Sequence, residues 1–158
     1  LDWVTAHWAK PIGKYCTRRS AFWRVTRRVA NQICAAPFDD GAWSSYLAWT
    51  NLDHVAPLKT GNPGKPLKDR QRDACVRLLE CDVMRLGPRR LLVLAGHDWA
   101  SPFFTNGVTW SSGAAFVQGS GRWTLPNGQS VAVVVAKHPQ GKREDLMTDE
   151  VVQEFNRL

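Results

Sequence analysis

The sequence predicts a single α/β domain spanning residues 1–158, with strands buried between helices, on the strength of three observations. Two apolar runs, Arg90-Leu91-Leu92-Val93-Leu94-Ala95-Gly96 and Val131-Ala132-Val133-Val134-Val135-Ala136, have the length and branched content of strands covered on both faces. Two other segments repeat apolar residues at helical spacing: Phe22, Val25, Val29 and Ile33, then Cys75, Leu78, Leu79, Val83 and Leu86. A chain of 158 residues is also long enough to bury one core without covalent staples.

Taken in order, residues 1–17 hold Trp3, His7, Trp8 and a Lys-Pro-Ile-Gly turn without a sustained period, and are expected to form a loop. From Ser20 the pattern is helical, with Arg24, Arg27 and Arg28 off the apolar stripe and Arg18 and Arg19 just before it. That basic face suits either solvent or phosphate. Pro37 and Asp39-Asp40-Gly41 end the helix. Tyr46-Leu47-Ala48-Trp49-Thr50 then reads as a buried strand delivering Asn51, whose amide can donate and accept at the edge of a base or simply form a turn.

Leu58 to Lys68 is rich in Gly, Pro and Lys and reads as a loop, with Pro66 opening a helix that Gly87-Pro88 closes. The Arg90–Gly96 strand would complete a strand, helix, strand crossover with parallel strands. His97-Asp98-Trp99-Ala100 suits a short helix, and Asn106 to Gly121 is Gly/Ser-rich. Asn127-Gly128 signals a hairpin between Arg122-Trp123-Thr124-Leu125 and the segment from Ser130. Thr148 is expected to cap a last helix, with Asp149 and Glu150 in its first turn and Val151, Val152 and Phe155 on its apolar face.

Charge narrows the partner. Lys and Arg number 21 against 14 acidic residues, a formal +7 with a pI near 9.6, the balance of a protein that meets a polyanion. Nucleic acid is the leading class, although solubility or an anionic surface would also suit it. No apolar run approaches the roughly 20 residues of a membrane span and no leader pattern opens the chain, so no membrane partner and a cytoplasmic or nuclear location are expected. Cys16, Cys34, Cys75 and Cys81 form no metal-binding spacing, which points to reduced thiols and to no metal or other cofactor. Eight Trp are many for this length and serve either the core or a stacking surface.

The Val-rich run ends in His138-Pro139-Gln140-Gly141-Lys142-Arg143. Ligands of open α/β sheets bind beyond the carboxyl ends of strands, so a His-Pro turn there can hold an imidazole against a pocket. A histidine in that position is also commonly an ordinary loop residue.

Together, Ala48-Trp49-Thr50-Asn51-Leu52, Gly61-Asn62-Pro63, the helix and strand from Gln71 to Gly96, and His138-Pro139-Gln140-Gly141-Lys142 resemble, in order and spacing, the uracil-DNA glycosylase superfamily from about Ala21 onward. The resemblance implies a three-layer α/β/α domain with a central, mostly parallel four-stranded sheet. It also implies a monomeric, monofunctional enzyme that flips a uracil or other modified base out of DNA and hydrolyses its N-glycosidic bond, in base excision or against modified phage DNA. His138 matches the histidine that stabilises the departing base, and Asn51 the residue that reads its Watson–Crick edge. Gln140, Lys142 and Arg143 match the loop entering the minor groove, and Lys59 and Lys65 flank a loop that grips the backbone. The family's opening motif, which carries the water-activating group, is not visible. Asp2 is a candidate relic of it, Asp53 is another available carboxylate, and a DNA-binding module without turnover is the alternative.

Overall fold

The apolar run of residues 131–136 forms the centre of the molecule. The computed structural model describes residues 2–9, 16–34, 43–58, 61–110 and 114–158, with the backbone alone at 2, 3 and 9. Its helices are α1 (Asp2–Ala9), α2 (Ala21–Cys34), α3 (Lys65–Leu86), α4 (His97–Ala100) and α5 (Glu144–Arg157). Its strands are β1 (Arg90–Val93), β2 (Val108–Trp110), β3 (Val117–Thr124) and β4 (Ser130–Ala136). The sheet order is β1-β4-β3-β2.

Strand β4 is covered on both faces, as its composition predicts. Val131, Val133 and Val135 enter one core with Cys75, Leu79 and Val83 of α3. Ala132, Val134 and Ala136 enter the other with Val25 and Val29 of α2 and Met147, Val151 and Phe155 of α5. The two-residue alternation of a strand thus splits one run of apolar residues between two helical layers. Full burial of each Val side chain contributes about 1.5–3 kcal/mol relative to exposure.

Only part of the expected sheet is parallel. β1 pairs parallel with β4, but β4 with β3 and β3 with β2 are antiparallel, so the sheet is mixed rather than mostly parallel. The tight Asn127-Gly128 turn causes this, since a short hairpin can only return the chain antiparallel. β2 and the start of β3 lie in the segment read as Gly/Ser-rich. Glycine there serves close approach: a Cβ on Gly119 would sit 2.5 Å from the Trp110 ring, and one on Gly121 2.1 Å from the Gly107 carbonyl oxygen.

The expected strand at Tyr46–Thr50 does not form. Trp43–Tyr46 makes a 3-10 turn and residues 47–58 run without ladder pairing. Of the two aromatic residues that suggested a strand, Tyr46 is exposed and Trp49 sets its ring 5.8 Å from Trp23, while Trp43 just before them is buried 5.5 Å from Trp8 and 6.3 Å from Trp23. The strand, helix, strand crossover therefore lacks its first strand, and the parallel partner of β1 comes from the far end of the chain. Residues 2–9, read as loop, form α1, which brings Val4 and Trp8 into the same aromatic cluster.

Helix ends follow the sequence in part. Gly87, left-handed at φ 59°, closes α3 as expected, while the helix begins at Lys65, one residue before Pro66. Leu78 and Leu86 of its predicted stripe are exposed; the buried line is Gln71, Cys75, Leu79 and Val83, one residue per turn. α5 starts at Glu144 and not at Thr148, which is buried inside the helix with its hydroxyl donating to the Glu144 carbonyl at 2.7 Å. Cys16 and Cys75 are buried, Cys34 and Cys81 exposed, and all are free thiols. The turns expected at 10–13 and 37–41 lie outside the described residues.

Candidate functional site

The carboxyl ends of β1 and β4 lie side by side because the strands are parallel, with Val93 opposite Val135. Beyond them opens a cleft of about 790 Å³. His138 and Gln140 contribute from the loop after β4, Leu94 and Ala95 from the end of β1, and Trp99 from α4. Asn51, Leu52 and Asp53 enter from the unpaired segment, Asn62 and Pro63 from the loop before α3, and Phe22 and Trp23 from α2. Two sequence-predicted residues 87 positions apart, Asn51 and His138, thus line one space.

The histidine is held in a defined way. Its Nδ1 accepts a hydrogen bond from the Gln140 backbone N–H at 3.3 Å. A backbone nitrogen can only donate, so in the neutral ring the proton sits on Nε2, which is left to donate elsewhere. The Phe22 ring stacks with the imidazole, ring centroids 6.4 Å apart and planes at 27°. The turn itself closes through Lys142 N–H to the Pro139 carbonyl at 3.0 Å, with Pro139 buried and Gly141 at φ 72° supplying the left-handed residue.

An ion pair fastens this loop to α2. Arg24 grips the Glu144 carboxylate with two nitrogens, Nε reaching Oε2 at 2.9 Å, and Arg28 Nη1 adds a contact at 3.2 Å. Arg24 of the expected basic face is therefore used internally and Arg27 lies over the Trp8 ring at 4.9 Å, while Arg28 stays half exposed and Arg18 and Arg19 are exposed. The Arg24 hydrogen bond holds the Glu144 carboxyl below the usual glutamate range, against the opposing effect of burial. A folded-state value depressed in this way gives stability that is present above the unfolded value and lost as pH falls through the folded one. Glu144→Gln is expected to be destabilised by about 1–2 kcal/mol at neutral pH. The difference from wild type should shrink as the pH drops below the carboxylate range, which urea unfolding at several pH values would measure.

The Asn51 segment is held by α3 in place of a neighbouring strand. The buried Gln71 side chain accepts from His54 N–H at 3.1 Å and Val55 N–H at 2.8 Å, and donates to the Val55 carbonyl at 3.1 Å. Thr50 Oγ1 donates to Asp82 at 3.3 Å. A side-chain amide thus satisfies backbone groups that the sequence suggested a sheet would satisfy. Asn51 itself is exposed, at the rim. Sequence reasoning missed Gln71, and the one signal for it was a polar residue on the apolar line of a helix.

The predicted cationic contacts are not equivalent. Lys142 is exposed and makes no ion pair among the described residues, but Arg143 pairs with Asp145 at 2.9 Å. That hydrogen bond pulls the Asp145 carboxyl down to about 2. Lys65, the first residue of α3, pairs with Asp69 at 2.6 Å. Lys59 and the side chain of Asp2 lie outside the described residues. Trp49, which suited either core or wall, is 45% exposed and lines the cleft.

His97, at the other strand end, donates its backbone N–H to Gln118 Oε1 at 2.9 Å and meets Trp110 edge-on, and so belongs to the sheet margin. No cluster of three metal-ligating side chains occurs among the described residues, and no helix there is long and apolar enough to cross a membrane.

These features define an α/β protein with an aromatic-walled, ligand-sized cleft at the carboxyl end of a parallel strand pair. Comparison with family models, curated proteins and solved structures finds no match for this chain.

Proposed function

We propose that this protein is a monofunctional DNA glycosylase, taking a flipped uracil or other modified base into the cleft and hydrolysing its N-glycosidic bond. The observation that carries the reading is the pairing in one cleft of Asn51 with a His138 whose Nδ1 is occupied by the Gln140 N–H. Cleaving the bond leaves negative charge on the departing base, and a donor fixed where that charge develops stabilises the transition state more than the ground state. The Nε2–H of His138 is such a donor, and the Asn51 amide can pair with the edge of a base. Trp49 and Phe22 on the walls suit a planar aromatic ligand. The resemblance of the motif order to that of uracil-DNA glycosylases and the net charge of +7 support the same reading.

The direct test is base release from oligonucleotides, single- and double-stranded, carrying uracil, hypoxanthine, xanthine or 5-hydroxymethyluracil, scored by alkaline cleavage at abasic sites. Release from at least one substrate is expected. Tight binding to such DNA without release from any would favour the alternative, a glycosylase-like DNA-binding module.

Charge makes a separate prediction. Lys142→Ala should weaken DNA binding across sequences and lower the slope of log K against log salt by about 1, as loss of one phosphate contact requires. Arg143→Ala should change it less, because Asp145 already offsets that charge. An unchanged slope in Lys142→Ala would remove this turn from the interface.

A further inference from the structure

The positive charge of this chain is confined to one segment. Residues 3–38 carry seven of the 21 Lys and Arg and none of the 14 acidic residues. The other 14 basic residues are matched one for one by acids, so the whole formal +7 belongs to that segment. An excess of one sign gathered in a single stretch suits a polyanionic partner, whereas an excess spread over the surface serves solubility. Lys10 and Lys14 lie outside the described residues, and the other five are on the 3-10 turn Thr17–Arg19 and on α2.

Internal pairing does not cancel this charge. Arg24 and Arg28 share the single carboxylate of Glu144, and Arg27 lies over the Trp8 ring. Arg18 and Arg19 are exposed and enter none of the ion pairs found among the described residues. Their turn is nonetheless fixed. Cys16 and Thr17 are buried, and Thr17 Oγ1 donates to the Val4 carbonyl at 2.8 Å. The Arg19 and Ser20 N–H groups donate to the Cys16 and Thr17 carbonyls at 3.0 and 2.9 Å. Two guanidiniums on a fixed turn lose less freedom on meeting phosphates than two on a mobile loop.

The turn also adjoins the cleft. Ser20, Phe22 and Trp23, which follow it at once, are among the lining residues. Arg24 ties the turn to the opposite rim: its Nη1 donates to the Arg18 carbonyl at 3.0 Å, while its Nε and Nη2 hold Glu144, the residue that follows the His138–Arg143 loop.

We infer that Arg18 and Arg19 form a docking surface for the DNA backbone on the α2 side of the cleft, each meeting a phosphate, with Arg24 positioning their turn against the His138 loop. The inference takes DNA as the partner from the reading above and does not depend on bond cleavage. An anionic membrane is the other polyanion that such a patch could meet. A membrane-binding helix, however, keeps an apolar face free to enter lipid, and on α2 that face is spent on the cores, where Trp23, Val25, Val29 and Ala30 are buried.

The test is fluorescence anisotropy of an undamaged and a uracil-containing duplex over a range of salt, with base release from the second scored in parallel. Arg18→Ala/Arg19→Ala should lower the slope of log K against log salt by about 2, as loss of two phosphate contacts requires. Its affinity deficit should therefore shrink by about tenfold between about 50 mM and about 200 mM salt. Arg89→Ala/Arg90→Ala removes the same charge from exposed residues at the amino end of β1, the far end of the sheet from the cleft, and should change the slope by less than about 0.5. Equal slopes in wild type and the Arg18/Arg19 variant, or equal falls in the two double variants, would overturn the inference, and base release by wild type would still leave the glycosylase reading standing. The expected slopes from a wild type that releases no base would support the docking surface and overturn the glycosylase reading. A wild type that binds neither duplex would overturn both. If that protein instead bound phosphatidylserine-containing vesicles through Arg18 and Arg19, the patch would belong to a membrane. Should the alanine pair lose its cooperative melt, Arg18→Gln/Arg19→Gln, which keeps much of each side-chain stem, reads the same slope, and no change there overturns the inference.

Discussion

His138→Ala is expected to slow base release by about 10²- to 10³-fold, the cost of removing one donor aimed at developing negative charge. The loss should fall on the single-turnover rate rather than on DNA affinity, because the proposed interaction strengthens only as the base departs. Stability should change by no more than about 0.5 kcal/mol, since the imidazole is exposed and the Gln140 N–H that it engages can turn to water. His138→Gln, which keeps a donor at the end of a longer side chain, should recover part of the rate. Equal rates for His138→Ala and wild type on every cleaved substrate would remove the histidine from the chemistry. The cleft would then have to be explained by binding alone.

Trp43→Ala should have the largest effect on stability, a loss of about 3–5 kcal/mol, as expected for deleting a fully buried indole. For a domain of this size that corresponds to a fall in Tm of roughly 6–20 °C, measurable by thermal melting. Trp43 sits between Trp8 of α1 and Trp23 of α2, so its removal opens a cavity where the two helices meet. Because Trp23 in turn contacts Trp49 on the cleft wall, binding of base-containing DNA should weaken along with stability. Trp43→Phe keeps one ring in the gap and, having no indole N–H, removes a buried donor that has no partner among the described residues. It should cost less than half as much. A Trp43→Ala protein melting within about 2 °C of wild type would show that the aromatic cluster is not a stabilising core.

Half of the eight Trp are used in the cores rather than as exposed stacking platforms. Trp8, Trp23 and Trp43 are buried, and Trp123 packs edge-on against Phe104 in the α3 core. The composition could not distinguish these roles, because a buried aromatic pair and a base-stacking wall use the same residues. Trp49 shows both at once, one edge against Trp23 and the rest facing the cleft.

The sequence by itself determined the central strand, its hairpin through Asn127-Gly128, the two main amphipathic helices and the placement of His138 at a strand end. Each depends on local periodicity or on turn residues whose backbone preferences act over a few positions. Only the tertiary structure decided which backbone groups of residues 46–58 would find partners. An aromatic-rich segment carries the same signal whether its amides meet a neighbouring strand or, as here, the side chain of Gln71. Long-range pairing likewise decided the sheet: β1 lies beside β4, some 40 residues on, and no local pattern encodes that choice. The candidate site follows the same division. His138 and Asn51 were legible as candidate site residues, and the proton placement on His138 is set locally by Gln140 two residues on, but the meeting of His138 and Asn51 in one cleft is a consequence of packing between segments far apart in the chain.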